Sequence, residues 1–438
     1  MARVTPRILS GFIEFLPEDQ IQFNRMFDTI RSVYESYGYV PIETPAIELG
    51  EVLLAKAGGE TEKQIYKIAH ADKDMALHFD LTVPLARYVA QHEGELVFPF
   101  RRYQMQKVWR GERPQFGRSR EFYQCDIDVV GSGNVLFDAE MPAVISSVFR
   151  KLSIGSFTIR INNRKILQGY LESIGAHHIS VEVLRVIDKL DKVGEAVVTQ
   201  ELAKLGVEAD ATKELLEFIS IGGSVDDVLD QLEALPTKNT RYRAGLEELT
   251  GVIGGMRQLD VPVEDYVIDL HIARGLDYYT GTVYETTLDD FPGVGSVCSG
   301  GRYDDLASNY TKSKLPGVGV SIGLTRLFTQ LKEIGLVPSS ARTLSQAVVL
   351  PLLPAAMPRA LEVASELRKA GIAIESYLEP GQPSKLMRYA DRLGVPFAIV
   401  IGDDEILSGK LMLKNMQTGD QSSVTIEQAA KLLTSKSS

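Results

Sequence analysis

The stretch from about 97 to 131 narrows the fold more than any other, because it reads as two strands joined by a polar, arginine-rich loop. Its central part, residues 100–124 (FRRYQMQKVWRGERPQFGRSREFYQ), sets Arg101, Arg102, Lys107, Arg110, Arg113, Arg118 and Arg120 against only Glu112 and Glu121. Arg110 then ends the first strand, and Arg118 and Arg120 lie on the loop returning into the second. Guanidiniums placed this way can grip phosphate with two donors and stack on a base ring, while Glu112 can accept from an exocyclic amine. A solvated basic hairpin is the plainer alternative. On the second strand, period-two alternation puts Phe122, Gln124, Asp126 and Asp128 on one face and Tyr123, Cys125, Ile127 and Val129 on the other. The polar face suits a small cationic or amide-like ligand, or simply solvent.

The basic loop stands out because the chain as a whole is acidic, with a net charge of −11. That balance alone argues against non-specific nucleic-acid or anionic-membrane binding. Divided by region, residues 342–438 hold 11 basic and 10 acidic side chains, and the first 341 hold 36 and 48. The acidity belongs to the front, and the tail is electrostatically free to approach a polyanion. The 438 residues allow two to four domains of about 100–200 residues each. A 44% hydrophobic and 24% charged composition excludes a disordered or fibrous chain. Cys125 and Cys298 fit no metal or redox spacing and are compatible with a reducing compartment. No apolar run of signal-peptide length precedes Glu14, and none approaches the ~18 residues of a membrane span. The expectation is a soluble cytoplasmic protein with no membrane association.

Residues 20–37 place Phe23, Met26, Phe27, Ile30, Val33, Tyr34 and Tyr37 on one helical stripe, closed by Gly38. Residues 165–258 read as mostly helical, with helix-period segments at 182–190, 201–204, 213–219 and 225–235. Strand character returns at 267–272, 282–288 and 318–322, before a helix at about 323–334. A Ser-rich linker at 337–344 leads to strands at 347–352, 373–377 and 397–401. These alternate with helices at 358–370, 384–393 and 425–433, a pattern for a small, mostly parallel sheet covered by helices.

Three further segments combine glycine with charged or aromatic residues: RGLDYYTG (274–281), SGGRYDDL (299–306) and PGVGVSIGLTRL (316–327). The last has G-x-G-x-x-x-G spacing and no βαβ context, so it is not a dinucleotide loop; it suits a strand entering a helix whose first turn presents Arg326. No G-x-x-x-x-G-K-[ST] occurs, which excludes a P-loop. His70, His78, His92, His177, His178 and His271 form no H-x-x-x-H pair and adjoin no cysteine pair, so no metal site is expected.

Together these segments resemble the class II aminoacyl-tRNA synthetases, and within them the histidyl-tRNA synthetase family, over essentially the whole chain. Residues 23–48, with Pro45 in ETPAIE, look like the class's first motif; residues 107–131 look like the second, and 317–327 like the third. RGLDYYTG and SGGRYDDL look like the segments peculiar to the histidine enzymes. The resemblance implies an α+β fold: an antiparallel sheet flanked by helices, a helical insertion and a C-terminal α/β anticodon-binding domain. It divides the chain at 1–165, 166–260, 261–336 and 345–438. It implies ATP, with Mg²⁺, as cofactors, and L-histidine, tRNA(His) and a second copy of the chain as partners.

By the same resemblance, Arg110 holds the α-phosphate, Glu112 and Arg118 the adenine and outer phosphates, and Arg326 the γ-phosphate. Arg274 is the histidine-specific cation, and Arg110 and Arg274 carry the catalysis. Asp80, Thr82 and Gln124 bind the amino and carboxylate groups of histidine; Asp128 and Tyr279 face the imidazole, supported by Tyr278. Lys385, Arg388 and Arg392 share one face of a tail helix for tRNA. The family's bacterial branch commonly has an R-P-E-G-T segment and a second-motif glutamate where Asp80 and Asp128 stand here, as in the archaeal and eukaryotic-like branch. Shorter carboxylates must sit closer or use a water. The implied reaction is attack of the histidine carboxylate on ATP, then transfer to the tRNA's terminal ribose, with fixed charge in place of a protein nucleophile. A non-catalytic paralogue, the histidine-binding regulatory subunit of ATP phosphoribosyltransferase, is the alternative.

Overall fold

The computed structural model describes residues 3–54, 62–70, 73–113, 117–176, 179–187, 190–272, 279–337 and 342–434. The chain forms two compact units, Met1–Ile13 with Met26–Leu336, and Glu14–Arg25 with Val337–Ser438.

The first unit is built on an eight-stranded sheet in the order Val40–Pro41, Phe100–Trp109, Glu121–Val130, Gly317–Gly323, Cys298–Tyr303, Thr282–Leu288, Phe157–Asn163 and Tyr266–Ile268. The six central strands are antiparallel to one another, and a parallel strand closes each edge. On Glu121–Val130 the apolar face expected from alternation is buried: Cys125, Ile127 and Val129 are at most 1% exposed. Tyr34, on the helix Pro17–Ser36, reaches this face and donates its hydroxyl to the Cys125 carbonyl at 2.9 Å. The polar face is buried as well, so it serves neither as a solvated face nor as core. It becomes the floor of a cleft.

Sequence reading and structure differ at several elements. Residues 267–272 yield a strand of only Tyr266–Ile268, because Asp269 turns the chain. Its Oδ1 accepts the His271 backbone N–H at 2.9 Å and its Oδ2 pairs with Arg160 at 2.6 Å. The sequence reading does not include the strand Phe157–Asn163, although Phe157, Ile159 and Ile161 alternate with Thr158 and Arg160 and are buried, nor the helices Thr82–Gln91 and Leu136–Leu152. The helical stretch runs from Arg164–Ser173 to Thr240–Gln258. Side-chain oxygens of Asn163, Ser224 and Asn239 cap the first turns of helices within it.

The second unit carries a five-stranded sheet in the order Ile374–Ser376, Ala347–Pro351, Phe397–Ile401, Leu411–Asn415 and Gln421–Val424. The first three strands are parallel, as expected, and an antiparallel hairpin extends them. Val348 and Leu350 pack on the helix Pro383–Leu393 through Leu386 and Ala390, whereas Val349 packs on Met357–Lys369 through Val363 and Leu367. Burial on both faces explains why this strand reads as an unbroken apolar run.

Candidate active site

Where the Arg-rich loop meets the sheet, a cleft of about 390 Å³ opens over the polar face of Glu121–Val130. Its outer part is cationic. Arg110 donates through Nε to the Phe79 carbonyl at 2.9 Å, and its guanidinium lies 5.1 Å from the centroid of the Phe122 ring. Arg118 faces Glu112 at 3.7 Å. Arg326, in the first turn of the helix Leu324–Glu333, donates through Nη2 to the Val294 carbonyl at 2.9 Å, while its buried Nε has no partner among the described residues. Burial, and next the neighbouring Arg118, pull Arg326 down from the usual arginine range against the opposing pull of Glu285. Two guanidiniums that repel each other beside an open cleft are arranged for an anion with several oxygens.

Further in, Asp80 precedes the helix Thr82–Gln91, and its Oδ1 accepts the Val83 N–H at 3.1 Å. Its Oδ2 is buried without a partner among the described residues. Burial lifts the Asp80 carboxyl to about 6, with Val83, Arg110 and Arg102 working against it. Gln124 donates to Ser321 Oγ at 2.7 Å and turns its carbonyl oxygen toward Arg110, 3.5 Å away. An unsatisfied buried carboxylate oxygen near an amide carbonyl is suited to an ammonium group.

The cleft ends in a narrow recess lined by Thr82, Asp126, Asp128, Tyr279, Tyr303 and Ser321. Asp128 Oδ2 pairs with the fully buried Arg102 at 2.6 Å, and its Oδ1 accepts the Tyr303 hydroxyl at 2.7 Å. Burial raises the Asp128 pKa; Arg102 and Tyr303 oppose that rise. Gly319 sits opposite Asp128 in register, and a Cβ there would lie 2.1 Å from Asp128 Oδ1. The glycine spacing of GVGVSIG thus leaves room for the side chains of the neighbouring strand.

Of the residues singled out from sequence, Asp80, Thr82, Arg110, Glu112, Arg118, Gln124, Tyr279 and Arg326 line this one cleft, and Asp128 lines its recess with Thr82 and Tyr279. Arg274 and Tyr278 lie outside the described residues. Lys385, Arg388 and Arg392 stand exposed on the helix Pro383–Leu393 of the second unit. The basic loop is more structural than its composition suggests. Arg101 bonds Glu140 and the Tyr37 carbonyl, Lys107 pairs with Glu121 at 2.6 Å, and Arg120 donates to the carbonyls of Glu112 and Ser10. Asp126, Tyr303 and Ser321 line the recess as well and were not among the site residues read from sequence. Asp126 stands on the polar face that alternation defines, and Tyr303 and Ser321 lie in the SGGRYDDL and PGVGVSIGLTRL segments, but only the strand register brings them together.

Residues 11–327 match the family model for histidyl-tRNA synthetase, and residues 346–436 the model for an anticodon binding domain. The chain belongs to the histidyl-tRNA synthetase family. It is 52% identical over 433 residues to the histidine–tRNA ligase of Clostridium tetani, covering 98% of each chain. The enzyme of that name from Xanthomonas campestris pv. campestris is 47% identical, over 98% of this chain and 96% of its own. The crystal structure of histidyl-tRNA synthetase from Nostoc superposes with a TM-score of 0.92 at 44% identity, covering 99% of this chain and all of the other. A Bacillus halodurans structure named as an ATP phosphoribosyltransferase regulatory subunit/histidyl-tRNA synthetase shares the fold, at 20% identity and a TM-score of 0.74. The family's architecture is therefore the one built here: a large antiparallel sheet flanked by helices, and a C-terminal anticodon-binding domain with its own sheet.

Proposed function

We propose that the first unit joins L-histidine to ATP as histidyl-adenylate, and that the chain transfers the histidyl group to the terminal ribose of tRNA(His). One observation carries this reading: a single cleft offers Arg110, Arg118 and Arg326 at one end and a carboxylate-lined recess at the other. Arg110 takes the α-phosphate, Glu112 and Arg118 the adenine and outer phosphates, and Arg326 the γ-phosphate. Asp80, Thr82 and Gln124 hold the amino and carboxylate groups, and Asp128 and Tyr279 close the imidazole end. Arg274 and Tyr278 complete the histidine site by family resemblance.

Negative charge grows on the phosphoryl oxygens as the carboxylate attacks, and fixed guanidiniums stabilise it without reorganising. Mg²⁺ bound with ATP would neutralise charge on the outer phosphates. Among the described residues no group of three or more His, Cys, Asp or Glu could hold a metal, and phosphate oxygens of the nucleotide would supply ligands to the ion. The exposed Lys385, Arg388 and Arg392 serve the tRNA. The chain acts in the cytoplasm as a homodimer, as the resemblance implies; among the described residues no helix is long and apolar enough to cross a membrane. Amino-acid-dependent ATP–pyrophosphate exchange across all twenty amino acids tests the reading. Histidine alone is expected to support exchange; exchange with another amino acid, or with none, would sink it. Failure with all twenty would favour the regulatory-subunit alternative.

A further inference from the structure

Arg326 is not held at the outer end of the cleft by its own helix alone. One turn further along the same face of Leu324–Glu333 stands Gln330, 4% exposed and set behind the cleft wall rather than on it. Both side chains donate to one acceptor. Gln330 Nε2 lies 3.0 Å from the Val294 carbonyl oxygen, and Arg326 Nη2 lies 2.9 Å from it. Val294 ends the short 3₁₀ turn Pro292–Val294, and Gly295 follows at φ +69°, where a Cβ would come within 3.2 Å of Arg326 Nη2. The glycine allows the left-handed backbone and lets the loop close on the guanidinium.

A carbonyl oxygen has two lone pairs, so Gln330 takes one and leaves Arg326 the other. The opposite end of the same amide is unsatisfied: Gln330 Oε1 is buried without a partner among the described residues. A buried amide oxygen without a donor costs stability, and an apolar side chain of equal length would avoid that cost. Turning the amide over would set its oxygen against the Val294 carbonyl oxygen, and the two would repel. The donor at Val294 is therefore what this position requires. On its other side Gln330 packs against the return of the Arg-rich loop. Gly117 has φ +72°, and a Cβ there would lie 2.9 Å from Gln330 Nε2 and 3.1 Å from its Cδ. Gly117 adjoins Arg118, the cation that acts on Arg326.

We propose that Gln330 is a positioning residue for ATP: through the Val294 carbonyl it fixes the reach of Arg326, and against Gly117 it seats the segment that presents Arg118. This rests on the histidine-activating reading of the cleft and adds to it a buried residue that itself touches no substrate.

Histidine-dependent ATP–pyrophosphate exchange by Gln330→Met and by the unmodified chain tests this. Methionine keeps an unbranched side chain and removes both the donor and the unpaired oxygen. KM for ATP is expected to rise about 3- to 10-fold, the worth of one hydrogen bond, while KM for histidine stays within about twofold. A purely structural hydrogen bond would instead lower the unfolding midpoint and leave both KM values where they were, which overturns the proposal. An equal rise in both KM values, the mark of a general loosening of the cleft, overturns it too. Absence of exchange in the unmodified chain overturns the functional reading beneath it. Should Gln330→Met fail to fold, a crystal structure of the unmodified chain with ATP decides. Arg326 on the terminal phosphate with both bonds to the Val294 carbonyl kept supports the proposal, and an Arg326 that leaves Val294 to reach the nucleotide refutes it.

Discussion

Arg326 and the buried aspartates do opposite things to the apo site, and each makes a measurable prediction. Arg326 is a cation kept partly desolvated beside Arg118, a cost that a triphosphate bound as proposed would offset. Arg326→Ala should lower histidine-dependent exchange by about 10²- to 10³-fold, as removal of one preorganised donor does, with no loss of folding. Near-normal turnover would remove Arg326 from the phosphate site. Asp80 and Asp126 keep their protons in the fold up to about 6 and about 7, while in the unfolded chain they release them near 4. Across that interval the unfolded state binds fewer protons, so these two groups make stability fall as pH rises from about 4 to about 7. Asp126→Asn removes one such penalty. The difference in unfolding midpoint between variant and unmodified chain should therefore grow as pH is raised through that window; a difference independent of pH would refute this account. At this scale the sequence displayed candidate side chains but not their partners. Among the seven basic residues, composition and alternation did not separate Arg110 and Arg118, which line the cleft, from Arg101, Lys107 and Arg120, which carboxylates and carbonyls hold elsewhere; only the family resemblance singled out the first two.

Elements with a strict local period were legible. Thr282–Leu288 and Phe397–Ile401 fall where alternation and apolar runs place them, and the helix expected at about 323–334 is Leu324–Glu333. Elements defined by a neighbour were not. The extended segment that the sequence starts at Tyr39–Val40 is fixed as the two-residue strand Val40–Pro41 by pairing with Phe100–Trp109, and Leu411–Asn415 with Gln421–Val424 became visible as a hairpin only in the sheet. The Gly317–Gly323 strand shows the same limit from the other side: its glycines were plain in the sequence, but their purpose lies in the register with Glu121–Val130. Gly319→Ala places a methyl 2.1 Å from Asp128 Oδ1 and 2.5 Å from the Ile127 carbonyl. Since one of those neighbours is backbone, the strand pair must part; the expected cost is about 1–3 kcal/mol of stability, read by denaturant unfolding, together with weakened histidine binding. Unaltered stability and KM would mean that the two strands are less closely fitted than this.

For the whole molecule, charge is divided between two units with different tasks. The second unit is nearly neutral and presents Lys385, Arg388 and Arg392 on an exposed helix face. Replacing all three by glutamate should weaken tRNA charging at least tenfold and flatten its salt dependence, while leaving exchange within about twofold. Equal loss of both activities would make this face structural. The sequence by itself determined the periodic elements, the glycine spacing and the polar side chains carried by the segments that build the cleft, because these are properties of neighbours along one chain. Tertiary structure alone decided which of those side chains are satisfied and which remain open. Asp126 and Asp128 are two residues apart on one face, yet strand register commits Asp128 to Arg102 and Tyr303 and leaves an oxygen of Asp126 without a partner among the described residues. Hydrogen bonding is short-ranged and directional, so its outcome depends on contacts between distant segments that no local pattern encodes.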